Sequence, residues 1–178
     1  MKLIFCAVVL LTFFRSFNIV ALENSNKNVA IDFDELPLEQ SIKILKGNGA
    51  KKIAVFYEID CTYCKLLEKY EFSRVSDVTV YNFLFVNGTK DSSSWKKAEA
   101  IWCASDNKKA WSDFILKDHI DTNVRLCKTP IEENKALAVK LGVKGTPTIF
   151  FSNGTKSVGV IKAKQIEQRI LDADFYNN

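Results

Sequence analysis

The chain has 178 residues, of which 47% are hydrophobic and 26% charged, with seven glycines and three prolines. That balance excludes a collagen-like or low-complexity chain and an acidic disordered tail, and five cysteines are too sparse for a small disulfide-stapled scaffold. A formal net charge of +4, from 25 basic and 21 acidic residues, is too mild and too evenly spread to argue for nucleic acid as a partner.

Met1-Lys2 precede an apolar run from Leu3 to Phe14, which continues through Arg15-Ser16 to Ile19-Val20-Ala21. A basic start, a short apolar run and a terminal small residue predict a secretory signal peptide over 1–21, cut after Ala21. The rival, an uncleaved anchor, would need Arg15 inside the bilayer, because the run alone is too short to span. Cleavage removes Lys2 and Arg15 and no acidic residue, so the net charge falls from +4 to +2. It also removes Cys6 and leaves Cys61, Cys64, Cys103 and Cys127. An odd cysteine count becomes even, in a chain bound for an oxidising compartment.

Residues 22–34 read as an N-terminal arm, with Ala30-Ile31-Asp32-Phe33 as a short edge strand. Leu38, Ile42 and Leu45 fall at i, i+4 and i+7, which predicts a helix ended by Gly47-Asn48-Gly49. Ile53 to Tyr57 is continuously apolar, as in a strand buried on both faces. A helix opens at Cys61-Thr62-Tyr63-Cys64 and runs to Tyr70. Val78 to Val86 is a second β-rich run. Ser92–Ala104 and Asn107–Leu116 are helical, with Trp95, Ala98, Ile101 and Trp102 facing a core. Lys117 to Pro130 is irregular and contains the single histidine, His119, read as a surface residue. Ile131–Leu141 is a helix stopped by Gly142. Thr148–Phe151 is a strand, Ser152-Asn153-Gly154-Thr155 a hairpin turn, Val158–Ile161 its partner strand, and Lys164–Leu171 a last helix. Strands alternating with helices predict an α/β fold with a mixed sheet covered on both faces.

Two places carry chemistry. Cys61 and Cys64 are separated by two residues at a helix start, where unsatisfied backbone N–H groups and the helix dipole stabilise a thiolate. The first thiol then becomes a nucleophile, and the second can resolve a mixed disulfide formed on it. The same pair could be half of a zinc site, whose other ligands would come from Cys103, Cys127 and His119, or a structural disulfide. The second place is Gly145-Thr146-Pro147-Thr148 before a strand. A cis Thr146–Pro147 bond would leave the Thr146 backbone open to an extended substrate; a trans proline would simply start the strand.

Together these motifs resemble the thioredoxin superfamily. Ala100-Ile101-Trp102-Cys103-Ala104, Leu141 to Pro147 and Ser152 to Thr155 are similar to the catalytic domain of bacterial periplasmic disulfide isomerases of the DsbC/DsbG type. The similarity covers about residues 35 to 173. It implies a thioredoxin-like domain over 35–178, with a helical insertion at about 90–140. It implies that Cys61 is the nucleophile and Cys64 the resolving thiol, with Thr62, Tyr63, Thr146 and a cis Pro147 around them. Glu58 falls where that branch often carries an acid, a candidate aid to proton transfer. Cys103 and Cys127 are implied as a second disulfide; the alternative is two free thiols. No cofactor or metal is implied beyond the redox-active Cys61–Cys64 pair. The implied partners are exported proteins with cysteines and a membrane electron donor of the DsbD kind, in the periplasm. Two departures stand out: Thr62 is an unfamiliar occupant of its position, and residues 22–34 leave no room for the N-terminal dimerisation domain of those isomerases. Disulfide isomerisation or reduction is the leading expectation, with net dithiol oxidation and a metallochaperone-like use of the two cysteines as the alternatives.

Overall fold

The computed structural model describes residues 31–177. The signal peptide, the arm up to residue 30, Cys6 and Ala30 lie outside the described residues. Five strands form one sheet in the order β1-β3-β2-β4-β5. They are β1 (Ile42–Lys46), β2 (Lys51–Glu58), β3 (Val78–Phe85), β4 (Thr148–Phe151) and β5 (Lys156–Val158). β2 and β3 are parallel, and the other three pairings are antiparallel. The helices are α1 (Thr62–Leu66), α2 (Ser93–Cys103), α3 (Asn107–Lys117), α4 (Ile131–Lys140) and α5 (Ala163–Asn177).

The unbroken apolar run in β2 has a simple cause: both of its faces are covered. Ile53, Val55 and Tyr57 enter a cluster with Cys64, Leu67, Trp111, Phe114 and Ile166. Ala54 and Phe56 enter a second cluster with Phe33, Phe83, Phe150 and Ala138. α1, α3 and α5 therefore cover one face of the sheet and α4 the other. Asn134 on α4 donates through Nδ2 to the carbonyls of Gln40 and Leu84, both at 3.0 Å, which anchors that helix across the sheet edge. α5 buries Ala163, Ile166, Ile170 and Ala173, the i, i+3, i+7, i+10 stripe of an amphipathic helix.

Several expectations change here. The helix expected over Leu38–Leu45 is a single 3₁₀ turn, Leu38–Gln40, followed by β1. Ile42 and Ile44 face the core while Lys43 and Leu45 face outward, so the same residues also satisfy a period of two. The open edge of β3 offers this short segment a full ladder of hydrogen bonds, which outweighs the helical reading. Gly47 then turns the chain over the end of β3 at φ +56°, where a Cβ would fall 2.8 Å from the Asp77 backbone nitrogen. The edge strand expected through Phe33 is absent: the Asp32 carboxylate accepts from the Asp34 N–H at 3.0 Å and starts a 3₁₀ turn over Phe33–Glu35. Phe33 and Leu36 are buried. β5 begins at Lys156 instead of Val158, because the hairpin pairs directly after its turn; Gly159, at φ +83°, ends it. The last helix is longer than expected.

Residues 118–130 carry no regular structure. They are tied to the end of α2 by a Cys103–Cys127 disulfide, with S–S 2.09 Å and Cα–Cα 5.6 Å. The bridge closes a loop of 24 residues in sequence separation. Replacing both cysteines by serine should cost about 3–4 kcal/mol of unfolding free energy in the chain-entropy account, measured by denaturant titration under non-reducing conditions. Asn82, fully buried in β3, has no hydrogen-bond partner for either side-chain polar atom among the described residues. Asn82→Leu keeps the side-chain branching and removes the orphaned amide, so it should raise the unfolding free energy by about 1–3 kcal/mol at most, measured by denaturant titration.

Candidate functional site: the Cys61–Cys64 dithiol

β2 delivers the chain to Cys61 at the carboxyl end of the central strand, and α1 begins at the next residue. Cys61 is the N-cap of α1: its Sγ accepts the backbone N–H of Cys64 at 3.1 Å. The Thr146–Pro147 bond is cis. The Cys61 thiol donates to the Thr146 carbonyl at 3.4 Å, so residues 85 apart in sequence meet at this point. Cys61 is half-buried and Cys64 fully buried, both as free thiols. Thr62 is exposed, and Tyr63 is 64% exposed.

The two sulfurs are electrostatically unlike. The hydrogen bond from the Cys64 thiol, then the Thr146 side chain and the N–H groups of Cys64 and Tyr63, outweigh burial and lower the Cys61 pKa from 9.0 to about 6. Burial, followed by the hydrogen bond and charge of Cys61, pushes the Cys64 thiol far above the ordinary thiol range. At neutral pH one sulfur is therefore an accessible thiolate and the other a buried proton donor to it. Because the folded pKa of Cys61 is depressed, its stabilisation of the reduced protein is complete above pH 9 and is lost as pH falls through about 6.

The expected helix from Cys61 to Tyr70 is interrupted. α1 ends at Leu66 and passes into a π turn over Leu67–Glu71 and a 3₁₀ turn over Phe72–Arg74. The wider turn carries two glutamates inward. The Glu68 carboxylate accepts from the Tyr57 hydroxyl at 2.7 Å, beneath the dithiol. Burial pushes the Glu68 carboxyl up; burial and then the Glu68 charge push up the Tyr57 phenol, which also feels both cysteines. Lys46 lies close enough to interact with Glu68, and burial lowers its pKa. Glu71 is buried and accepts from the Ala163 N–H at 2.9 Å and from Lys162 at 3.1 Å, which secures the start of α5.

Sequence reasoning missed Tyr57, Glu68 and Lys46. The available signal was an acid one helical turn after Cys64, on the face that the i, i+4 rule turns inward. Glu58 occupies a different place from the one its candidate role needs. Its carboxylate faces the backbone of Asp60 and Asn87, with the Asp60 N–H at 3.1 Å, while its backbone is what meets Cys64. Burial raises its pKa.

His119 is exposed and lines a cavity of about 500 Å³ between α2, α3 and the 118–130 segment, which includes no residue of the dithiol. Cys103 and Cys127 are bonded to each other, so they are not ligands for a metal held by Cys61 and Cys64.

The family model for a thioredoxin-like domain matches residues 38–174. The chain belongs to the thioredoxin-like domain family. It is 39% identical over 151 residues to a probable thiol:disulfide interchange protein DsbC of Bordetella avium, an alignment covering 85% of this chain and 53% of that protein. It is 35% identical over 133 residues to the thiol:disulfide interchange protein DsbC of Escherichia coli K12, covering 74% of this chain and 56% of that one. The chain thus spans about half the length of these relatives. Among solved structures, a disulfide interchange protein from Neisseria gonorrhoeae superposes with a TM-score of 0.71 at 36% identity, covering 78% of this chain and 98% of that one. The catalytic domain of Proteus mirabilis ScsC superposes at 0.58 with 24% identity, a likeness of fold.

Removing the Cys64 thiol takes away the largest stabiliser of the Cys61 thiolate. In Cys64→Ala the midpoint of iodoacetamide alkylation against pH should therefore rise above the value of about 6 expected for the reduced wild-type protein.

Proposed function

We propose that this chain is a thiol–disulfide oxidoreductase acting on exported proteins, with Cys61 as the attacking thiol and Cys64 as the resolving thiol. The observation that carries the reading is the asymmetry of the pair: an accessible sulfur held as thiolate beside a buried sulfur held as thiol. The naming of the relatives as thiol:disulfide interchange proteins supports it.

In the proposed cycle the Cys61 thiolate attacks one sulfur of a substrate disulfide. A Cys61–substrate S–S bond forms, the substrate S–S bond breaks, and the other substrate sulfur leaves as thiolate. Isomerisation follows when a further substrate thiolate attacks the mixed disulfide, forms a new substrate bond and returns Cys61 as thiolate. Reduction follows when Cys64 loses its proton and attacks Cys61, which releases the substrate as dithiol and leaves a Cys61–Cys64 disulfide. Return to the dithiol then needs two electrons, which a membrane redox partner of the DsbD kind would supply. Thr146 and Pro147 border the attacking sulfur, and Thr62 and Tyr63 form the exposed rim of the site. The proposed setting is the periplasm, reached through the 1–21 signal peptide. No helix among the described residues is long and apolar enough to cross a membrane.

Net oxidation is a second reading favoured by one observation. Stabilising the Cys61 thiolate stabilises the reduced form, which makes the corresponding disulfide a better oxidant. Thiol trapping in intact cells separates the two: a pair held reduced supports isomerase or reductase work, and a pair held oxidised supports the oxidase. For the shared chemistry, Cys61→Ser should abolish reactivation of scrambled ribonuclease, and Cys64→Ser should accumulate mixed disulfides with substrate. Full activity in Cys61→Ser overturns the assignment.

A further inference from the structure

The residues on either side of the dithiol in sequence, Asp60 and Lys65, are both charged, and both are held by the helical insertion. Asp60 precedes Cys61. Ser94 and Lys97, at i and i+3 on one face of α2, both reach it. The Ser94 hydroxyl donates to one carboxylate oxygen, and the Lys97 ammonium lies 2.5 Å from the other. Lys65 follows Cys64. Its ammonium lies 2.5 Å from the Asp118 carboxylate and 5.1 Å from the centre of the Phe114 ring. Asp118 ends α3 in the left-handed region, at φ +58°, with its N–H bonded back to the Phe114 carbonyl at 2.9 Å. Aspartate tolerates that conformation better than most residues.

Lys97, Asp60, Lys65 and Asp118 thus form one cluster of alternating charge. Burial works against the Asp60 carboxylate, but the hydrogen bonds of Lys97 and Ser94, then the charges of Lys97 and Lys65, hold its pKa below the ordinary value. Asp60 and Lys65 therefore act on each other as well as on their partners. The other ionisable groups around Cys61 are arranged differently. Cys64 donates to it, Tyr57 and Glu68 are bonded to each other beneath it, and Glu58 is turned toward the backbone of Asp60 and Asn87. On the Thr146 side the group that meets Cys61 is a carbonyl, with Lys144 two residues before it. An unbalanced carboxylate at position 60 would disfavour the Cys61 thiolate, and an unbalanced ammonium at position 65 would favour it.

We propose that Lys97 and Asp118 are positioning residues for the attacking sulfur: acting through Asp60 and Lys65, they hold and offset the two charges that bracket the dithiol. This rests on the oxidoreductase reading above and adds residues that tune its nucleophile. Neither residue touches the reacting sulfurs. Each fixes the place of a charged neighbour and cancels most of its field at Cys61. The helical insertion thereby acts on the chemistry from both flanks of the Cys61–Cys64 segment, through α2 before it and through the end of α3 after it.

The test is the pH profile of iodoacetamide alkylation at Cys61, read by mass spectrometry of its peptide from the reduced full-length protein at low salt. The wild-type midpoint is expected at about 6. In Lys97→Gln the Asp60 charge stands unbalanced, and the midpoint should rise by about 0.3 pH units, the effect of a unit charge at about 10 Å in water. In Asp118→Asn the Lys65 charge stands unbalanced, and the midpoint should fall by a similar amount. Below the midpoint, each is about a twofold change in alkylation rate, in opposite directions. Lys97→Arg and Asp118→Glu should keep the wild-type midpoint. Lys96→Gln and Asp121→Asn remove the same charges from nearby positions that pair with neither Asp60 nor Lys65 among the described residues. They should move the midpoint by less than about 0.1 pH units. A purely structural role gives another pattern: loosening α1 takes the sulfur away from its N–H donors, so both neutral variants would raise the midpoint. Shifts of the same sign, a shift in neither variant, conservative variants that behave like the neutral ones, or controls that shift as far, each overturn the proposal and leave the oxidoreductase reading standing. A wild-type midpoint near the ordinary thiol value strikes at that reading instead.

Discussion

One short hydrogen-bonded loop governs this molecule: the Cys61 sulfur accepts from the Cys64 backbone and is stabilised by the Cys64 thiol within the first turn of α1. A thiolate in water is a rare form of a thiol whose ordinary pKa is about 8.5. Here the donors are pre-positioned, so the charge forms without reorganising its surroundings. The same contacts have the opposite effect on Cys64, whose proton is wanted by its neighbour and whose ionised form would be buried. Nucleophile and resolving group are thus distinguished by solvation and hydrogen bonding, although the two side chains are chemically identical.

The rest of the fold serves this arrangement. β2 must be central and buried on both faces for its end to present Cys61 rigidly, and the two apolar clusters on either side provide that. β4 must pair antiparallel with β2 for Thr146, just before it, to reach Cys61. The π turn after α1 turns Glu68 inward onto Tyr57, which places a polar pair in the apolar layer under the dithiol. Burying polar groups costs less when they are partnered, and Tyr57, Glu68 and Lys46 partner one another or nearby backbone. The disulfide at Cys103–Cys127 acts elsewhere: it restrains a segment that has no secondary structure of its own.

Much of this was legible in the sequence. The buried central strand and the cysteine pair at a helix start are local patterns, while the local sequence left Thr146–Pro147 open to cis or trans and only the resemblance implied cis. The helices α2, α3 and α4 show a periodic apolar face. The segment Leu38–Leu45 was misread because its apolar residues fit a period of 3.6 and, from Ile42 onward, a period of two; only the open edge of β3 decides between them. The π turn left one trace, the i, i+5 spacing of buried Leu67 and Phe72, which an α-helix would place about 140° apart. Glu68 was missed although it lies at i+4 from buried Cys64, because an acid in a helical stretch reads as solvent-facing by residue type. Glu58 shows the converse. Its position near Cys61 was legible, while the direction of its carboxylate was set by the Asp60 and Asn87 backbone.

The most direct test of the account is a pH titration of the reduced wild-type protein that resolves both thiols, by ¹³C NMR of labelled cysteine Cβ atoms. The account predicts that the Cys61 signal shifts with a midpoint at about pH 6 while the Cys64 signal stays in its protonated position throughout the range in which the protein remains folded. Two midpoints near the ordinary thiol value, or a Cys64 that ionises before Cys61, would contradict it.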